Sequence, residues 1–380
     1  QAVRLRSAGA EIVAILFSCA MQHKIVRGRK TCEAPDELAG LVAERVASRD
    51  GHVLFKGKCL GDAGVAAISA NLSGVVVLNL CQCSFGSAGT AALASALSSD
   101  AAAQLSELNL SSNELGPAGA SALAGALAAA CALVRLNLSA CAIQDEGALD
   151  LARSFPHLQS LESLNLRKNG ISAEACGRIV QAAADSKLTE LSLAANHADD
   201  ALLADLEAVL TRNALRACDG SCCLRGRGLG DAAAGAVAAA LPSLPSLRSV
   251  DLRGNGLTAA GVDALVEAVP CNTNLTELDI RGCPAAGTPS ARRLAGRLAV
   301  NALRHASRAD TVRVAGDRDL GDEGAEEVSA FLATGPAITS LGLQHNGIGP
   351  RGALAVAAAL PAVASLRELL MYSNAVGAEG

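Results

Sequence analysis

The chain of 380 residues has no tryptophan, one tyrosine, five phenylalanines and two methionines. A core cannot be assembled around large aromatic rings, so it must be filled by many aliphatic side chains. The six histidines (His23, His52, His157, His197, His305 and His345) are dispersed. No serine or cysteine nucleophile can be matched with a base, which argues against an enzyme. The thirteen cysteines include no spaced CxxC pairs, so structural zinc is not indicated, and a reduced cytoplasmic, intracellular setting fits best. A net charge of -5 and a pI near 5.7 exclude a surface built throughout for nucleic acid. Two runs lack charge, residues 63–99 and 115–134. Asn71, Asn79 and Gln82 break the first, Pro117 falls in the second, and both keep a repeat register, so neither is read as a membrane span.

What the sequence has in abundance is one recurring unit, clearest in LSELNLSSNELGPAGASALAGAL from Leu105 to Leu127. Leu105, Leu108 and Leu110 have the spacing of a short strand entering a turn. Asn113 and Leu115 follow, and Gly119, Leu123 and Leu127 continue at four-residue steps suited to a helix. Leucines on one side only cannot be buried by a single copy, so neighbouring copies must stack.

The register can be placed twelve times from Val53 onward, marked by Leu60, Phe85, Leu115, Ile143, Ile171, Ala198, Leu229, Leu257, Ala285, Leu320, Ile348 and Val376. Spacings cluster at 28, as from Leu115 to Ile143 and from Ile143 to Ile171. Two residues before most markers stands Asn or Cys, as at Asn113, Cys141 and Asn169. Such an Asn can donate to and accept from loop backbone groups that have no strand partner, and Cys is a small, buried weak donor. Lys58, Arg227 and Arg318 replace it in three units, each followed one residue later by Leu-Gly-Asp. Having no acceptor, these three are expected to point to solvent. Longer intervals place seams near residues 211–223 and 286–311.

On these residues the chain resembles leucine-rich repeat proteins of the ribonuclease-inhibitor-like class, over about residues 53–380. The resemblance implies an α/β fold: a right-handed solenoid, or horseshoe, of about twelve strand-loop-helix units. Its parallel sheet lies on the concave face and its helices on the convex face. Strands about 4.8 Å apart and helices about 8 to 10 Å apart require the stack to curve. Residues 1–52 do not show the repeat and are read as an N-terminal cap or the remnant of a preceding segment. Their apolar run from Ile12 to Met21 resembles a targeting segment. The solenoid, residues 53–380, is expected to be a truncated fragment that stops in mid-unit.

Parallel strands align equivalent side chains in columns. Asn79, Asn109, Asn137 and Asn165 begin one column, expected to be a ladder of mutually hydrogen-bonded amides. The next contains Arg167, Arg225, Arg253 and Arg281, with Lys168 beside it and with Asp251 and Asp279 two residues before their arginines. It reads either as a self-neutralising charge ladder or as a groove for an acidic protein segment. Towards the C-terminus Gln344, His345, Leu370, Tyr372 and Ser373 face the same side, with Tyr372 a natural anchor. A long helix places Arg293, Arg297, Arg304 and Arg308 in one stripe, which suits solvent or an anionic partner.

The resemblance implies non-catalytic protein binding without a cofactor, as in ribonuclease inhibitors and the repeat arms of NOD-like receptors. LGLQHNGIGPRGALAVAAAL, around Asn346, is also similar to a repeat of Ran GTPase-activating proteins, so a small GTPase is the alternative partner.

Overall fold

The computed structural model describes residues 40, 44, 51–127, 132–306, 312–313, 318–378 and 380. Apart from residues 40, 44, 51 and 52, the N-terminal cap therefore lies outside the described residues, as do the targeting-like run and Arg308.

Short parallel strands alternate with helices throughout. The strands form three separate parallel sheets. The first contains β1 (His52–Leu54), β2 (Val77–Asn79), β3 (Glu107–Asn109), β4 (Arg135–Asn137), β5 (Ser163–Asn165) and β6 (Glu190–Ser192). The second contains β7 (Ser221–Cys223), β8 (Ser249–Asp251) and β9 (Glu277–Asp279), and the third β10 (Val312–Arg313), β11 (Ser340–Gly342) and β12 (Glu368–Leu370). Between them run α1 (Gly61–Ser69), α2 (Ser87–Leu97), α3 (Gly116–Leu127), α4 (Gln144–Ser154), α5 (Ala173–Ala183) and α6 (Asp200–Ala217). Then follow α7 (Asp231–Ala240), α8 (Ala259–Ala268), α9 (Pro289–Ala306), α10 (Gly321–Leu332) and α11 (Pro350–Ala359).

The ladder is in strict register, Leu78 opposite Leu108, Leu136 and Leu164 in turn. These side chains turn to the helices, where Leu105, Leu108, Leu110, Leu115, Leu123 and Leu127 are all buried. Each such leucine contributes about 1.5 to 3 kcal/mol. Small residues let the helices approach. A Cβ on Gly147 of α4 would stand 2.7 Å from the Ala120 Cβ of α3, closer than side chains tolerate.

Asparagine at the turn fastens each loop to the one before it. Asn113 donates from Nδ2 to the Leu80 and Leu110 carbonyls and accepts from the Cys83 N–H. Asn169, Asn196, Asn255 and Asn374 repeat the pattern. Cys141 and Cys283 instead donate weakly through Sγ to the preceding loop, at Leu110 and Leu252.

Both expected seams are breaks in the sheet, between β6 and β7 and between β9 and β10. At each break an 18-residue helix, α6 or α9, passes from one core to the next. Leu206 belongs to the first core and Leu215 to the second; Leu298 belongs to the second and Leu303 to the third. Buried Asn213 and Asn301 hold these helices by donating to the carbonyls of Ala183 and Leu188, and of Asn272 and Leu275.

The breaks explain the three basic substitutions. Lys58, Arg227 and Arg318 each follow the first strand of a sheet, where no preceding paired loop exists for an asparagine to fasten. Arg227 is exposed as expected. Arg318 is not: it is partly buried and donates from Nη1 to the Thr276 carbonyl at 3.2 Å, reaching back across the break.

The Leu-Gly-Asp triplets have a role that spacing alone did not disclose. Asp62, in the first turn of α1, accepts from the N–H groups of Gly86 and Gly89 at 2.8 and 2.9 Å, so it caps α2. Asp322 caps α11 in the same way through Gly349 and Gly352, both at 2.8 Å. Asp231 accepts from Thr258 at the start of α8, at 2.8 Å. An aspartate in one helix thus satisfies orphan donors of the next, where the N-cap residue has no side-chain cap of its own.

Candidate functional site

The open face of the three sheets, away from the helices, differs in chemistry from one sheet to the next. On the first sheet the third residue of successive strands is Asn79, Asn109, Asn137 and Asn165. The expected amide-to-amide ladder is replaced by a local arrangement. Each Oδ1 accepts from the backbone N–H two residues on, at Cys81, Ser111, Ser139 and Arg167, all at 3.0 Å. The bond is short-range because the chain turns immediately after the strand and exposes that donor. Apart from an exposed Arg135–Glu107 ion pair, the centre of this face is polar and uncharged.

The second sheet keeps the geometry and changes the charge. Asp251 and Asp279 occupy the asparagine positions and accept from the backbone N–H groups of Arg253 and Arg281. The arginine side chains fold back on the same carboxylates. Arg253 donates from Nε and Nη2 to Asp251 at 2.9 and 2.5 Å, and Arg281 from Nη2 to Asp279 at 2.6 Å. Arg253 also lies 3.6 Å from Asp279, so the four residues form one continuous chain of alternating charge. Hydrogen bonds from Arg253 hold the Asp251 carboxyl below its ordinary value. Burial opposes ionisation of Asp279, yet the side-chain and backbone donors of Arg281 bring it below the ordinary value as well. The Arg281 side chain remains 77% exposed at the end of the chain.

The arginine column is not continuous. Arg167 is exposed on the first sheet, Ala194 occupies the next equivalent position, and the break between β6 and β7 separates both from Arg225. Arg225, Arg253 and Arg281 do lie on adjacent strands of one sheet. Lys168 stands beside Arg167 with φ +63°, and the same left-handed conformation recurs at Gln82, Ser112, Ala140, Ala195, His345 and Ser373. This post-strand turn fixes where Lys168 and His345 project, and glycine fills the equivalent place at Gly226, Gly254 and Gly282.

On the third sheet His345 and Tyr372 meet edge to face, with ring centroids 5.4 Å apart and planes at 89°. Tyr372 is 58% exposed and Leu370, two residues before it, is partly buried.

The expected arginine stripe on α9 is divided between its two neighbours. Arg293 faces Asp263 of α8 at 3.6 Å, whereas Arg297 pairs with Glu327 of α10 at 2.9 Å, off line for a hydrogen bond. The Arg304 guanidinium lies 5.7 Å from the Phe331 ring centroid, also on α10. Tight packing of α9 between two helices turns a stripe that is narrow on one helix towards two different partners.

Cys218, Cys222 and Cys223 differ from one another: Cys222 is buried, Cys218 partly so, and Cys223 is exposed and in register with Asp251. Among the described residues no group of three or more His, Cys, Asp or Glu could hold a metal ion. No helix of the described residues is long and apolar enough to cross a membrane, which includes those within the two charge-free runs.

The chain carries leucine-rich repeats: the Leucine Rich repeat family matches residues 104–124, 130–152, 157–179, 243–266, 271–284 and 337–357. Tonsoku-like protein of Mus musculus is 32% identical over 205 residues, which is 52% of this chain and 15% of that protein. The chain thus spans a small part of that relative's length. Among solved structures, an internalin of Listeria monocytogenes is 14% identical with a TM-score of 0.34, covering 90% of this chain and 88% of its own. The structure titled leiomodin-1 actin-binding site 2 is 18% identical with a TM-score of 0.35, covering 39% of this chain and 86% of its own. Leucine-rich repeat proteins generally mediate protein–protein interactions.

Proposed function

We propose that the chain is a non-catalytic recognition scaffold that binds an acidic protein segment on its sheet face, as the sensing or regulatory arm of a larger protein. In this reading its units form a right-handed horseshoe of the ribonuclease-inhibitor-like class with the sheets on the concave side. A reduced intracellular setting suits its free thiols.

One observation carries the reading: the chain Asp251–Arg253–Asp279–Arg281 on the second sheet. Each carboxylate takes two or more donors from its own arginine, so the guanidinium planes are oriented before any partner arrives. With Arg225 the patch has three guanidinium groups against two carboxylates, and exposed Arg281 keeps further donors for a planar acceptor. Pre-oriented arginines lose less entropy on binding and are common at binding hot spots. His345, Leu370 and Tyr372 offer an apolar anchor on the third sheet, and Arg167 with Lys168 a weaker basic extension on the first.

Affinity capture with the full-length protein, repeated with Arg253→Glu and Arg281→Glu together, tests the proposal. A partner that binds the native patch should lose at least tenfold in affinity. Unchanged binding would assign that partner to another surface. Acceleration of GTP hydrolysis by a small GTPase would replace the scaffold reading with a regulatory one.

A further inference from the structure

The break between β6 and β7 is an open slot. Within an intact sheet, the carbonyl just before each strand accepts from the next strand: Val134 from Glu162 and Ser163, Glu162 from Thr189 and Glu190. Thr189 should serve the next strand in the same way, but no described residue donates to its carbonyl. The donors that follow the strand are idle too. Leu110, Leu138 and Leu166 each donate to the neighbouring strand, and Ser112, Ala140 and Lys168 to the turn that follows it, whereas the equivalent Leu193 and Ala195 have no such acceptor. The second break shows that this edge attracts a substitute. There Arg318 reaches back to the carbonyl of Thr276, the counterpart of Thr189, while Arg227 makes no such bond at the first break.

The idle edge borders a cavity of about 530 Å³ lined by Leu191, Leu203, Leu206, Leu210 and Leu224, with Arg227 and Glu207 also on its wall, the latter engaged with the N–H groups of Gly230 and Ala233. Leu203 is an exposed large apolar side chain. Thr211 also lines the cavity; it is 2% exposed, and its hydroxyl has no hydrogen-bond partner. An orphaned hydroxyl at a buried site costs about 1 to 3 kcal/mol, so the site favours an incoming polar group beside an apolar one. β6 and β7 share no ladder, so the outer edge of β6 is free to accept a strand at the usual spacing of about 4.8 Å.

We propose that an extended peptide segment of a partner adds as a parallel strand between β6 and β7, placing an apolar side chain in the cavity and a carboxylate against Arg227. Parallel addition sets the polarity of the ligand. The first strand position lies beside exposed Glu190, so a basic residue belongs there, and the C-terminal side runs towards Arg225 and Arg227. Among the described residues no carboxylate is within ion-pair distance of Arg227. The ligand class is therefore a strand with alternating apolar residues, basic at its start and acidic at its end. Main-chain bonds give the affinity and the alternate pockets give the selectivity. The slot adjoins the Asp251–Arg281 patch at Arg225, but its cavity and its idle strand edge lie outside that patch, so neither proposal depends on the other.

The test uses a labelled peptide, Val-Arg-Leu-Asn-Leu-Ser-Asp-Glu, whose first six residues copy residues 134–139, a segment that already pairs in parallel here. Binding to the full chain is measured together with hydrogen exchange at Leu193 and Ala195. We expect saturable binding that protects both amides, weakens at least tenfold with Arg227→Glu or Leu203→Glu, and is unaltered by Arg253→Glu. A peptide with Glu at its start and Lys-Lys at its end should bind at least tenfold more weakly. Absence of binding, binding that leaves both amides unprotected, or binding indifferent to Arg227→Glu and Leu203→Glu would each overturn the proposal. Loss on Arg253→Glu alone would do the same and place the peptide on the charged patch.

Discussion

The aspartate relay between repeats can be broken at a single atom. In Asp62→Ala, Gly86 and Gly89 lose their shared acceptor, and α2 has no side chain of its own to replace it. Removal of an N-cap costs about 0.5 to 2 kcal/mol. Loss of a negative charge at a helix N-terminus adds about 0.3 to 1 kcal/mol. The sum is about 1 to 3 kcal/mol, or roughly 5- to 150-fold in the local opening equilibrium. Hydrogen exchange followed by mass spectrometry on peptides from residues 87–97 and 350–359 separates a local from a global effect. Asp62→Ala should speed exchange in the first peptide and leave the second unchanged; Asp322→Ala should do the reverse. Equal acceleration in both peptides for either variant would refute the view that each aspartate acts on the next helix alone. So would no acceleration at all.

Asn113→Ala should destabilise the first sheet by about 3 kcal/mol or more, since it abandons the Leu80 and Leu110 carbonyls and the Cys83 N–H in a buried loop. Asn113→Cys should cost less, because Cys141 and Cys283 serve at that place; urea denaturation of both variants measures the difference. Alkylation mapped by peptide should modify exposed Cys223 and Cys271 in the native protein. Cys83 and Cys141, whose thiols burial raises to about 12 and about 11, should react only on unfolding. Asp251 and Asp279 both ionise below the ordinary value of 3.8, so their contribution is complete above that pH and is lost as pH falls through their lowered values. The stability gap between the native chain and Asp251→Asn with Asp279→Asn should therefore be constant from pH 7 to about 5 and close under stronger acid.

The repeat unit, its inward leucines and its loop-closing asparagines were legible in the sequence because each depends on side-chain period or on bonds within a turn. Leu105, Leu108 and Leu110 must share a side wherever the strand lies, and Asn113 must find a donor and acceptors near its own turn. Even the breaks were signalled by irregular spacing and by Lys58, Arg227 and Arg318. What the sequence could not assign was the atom that each of these residues meets one repeat away. Asp62 and Gly89 are 27 residues apart, and only the offset between stacked helices makes one the cap of the other. The same offset turns Arg293 and Arg297 to different neighbours, sends Arg318 back to Thr276 and leaves Arg227 facing an open slot. Period set which residues face inward; the displacement of each layer on the next decided which of them touch.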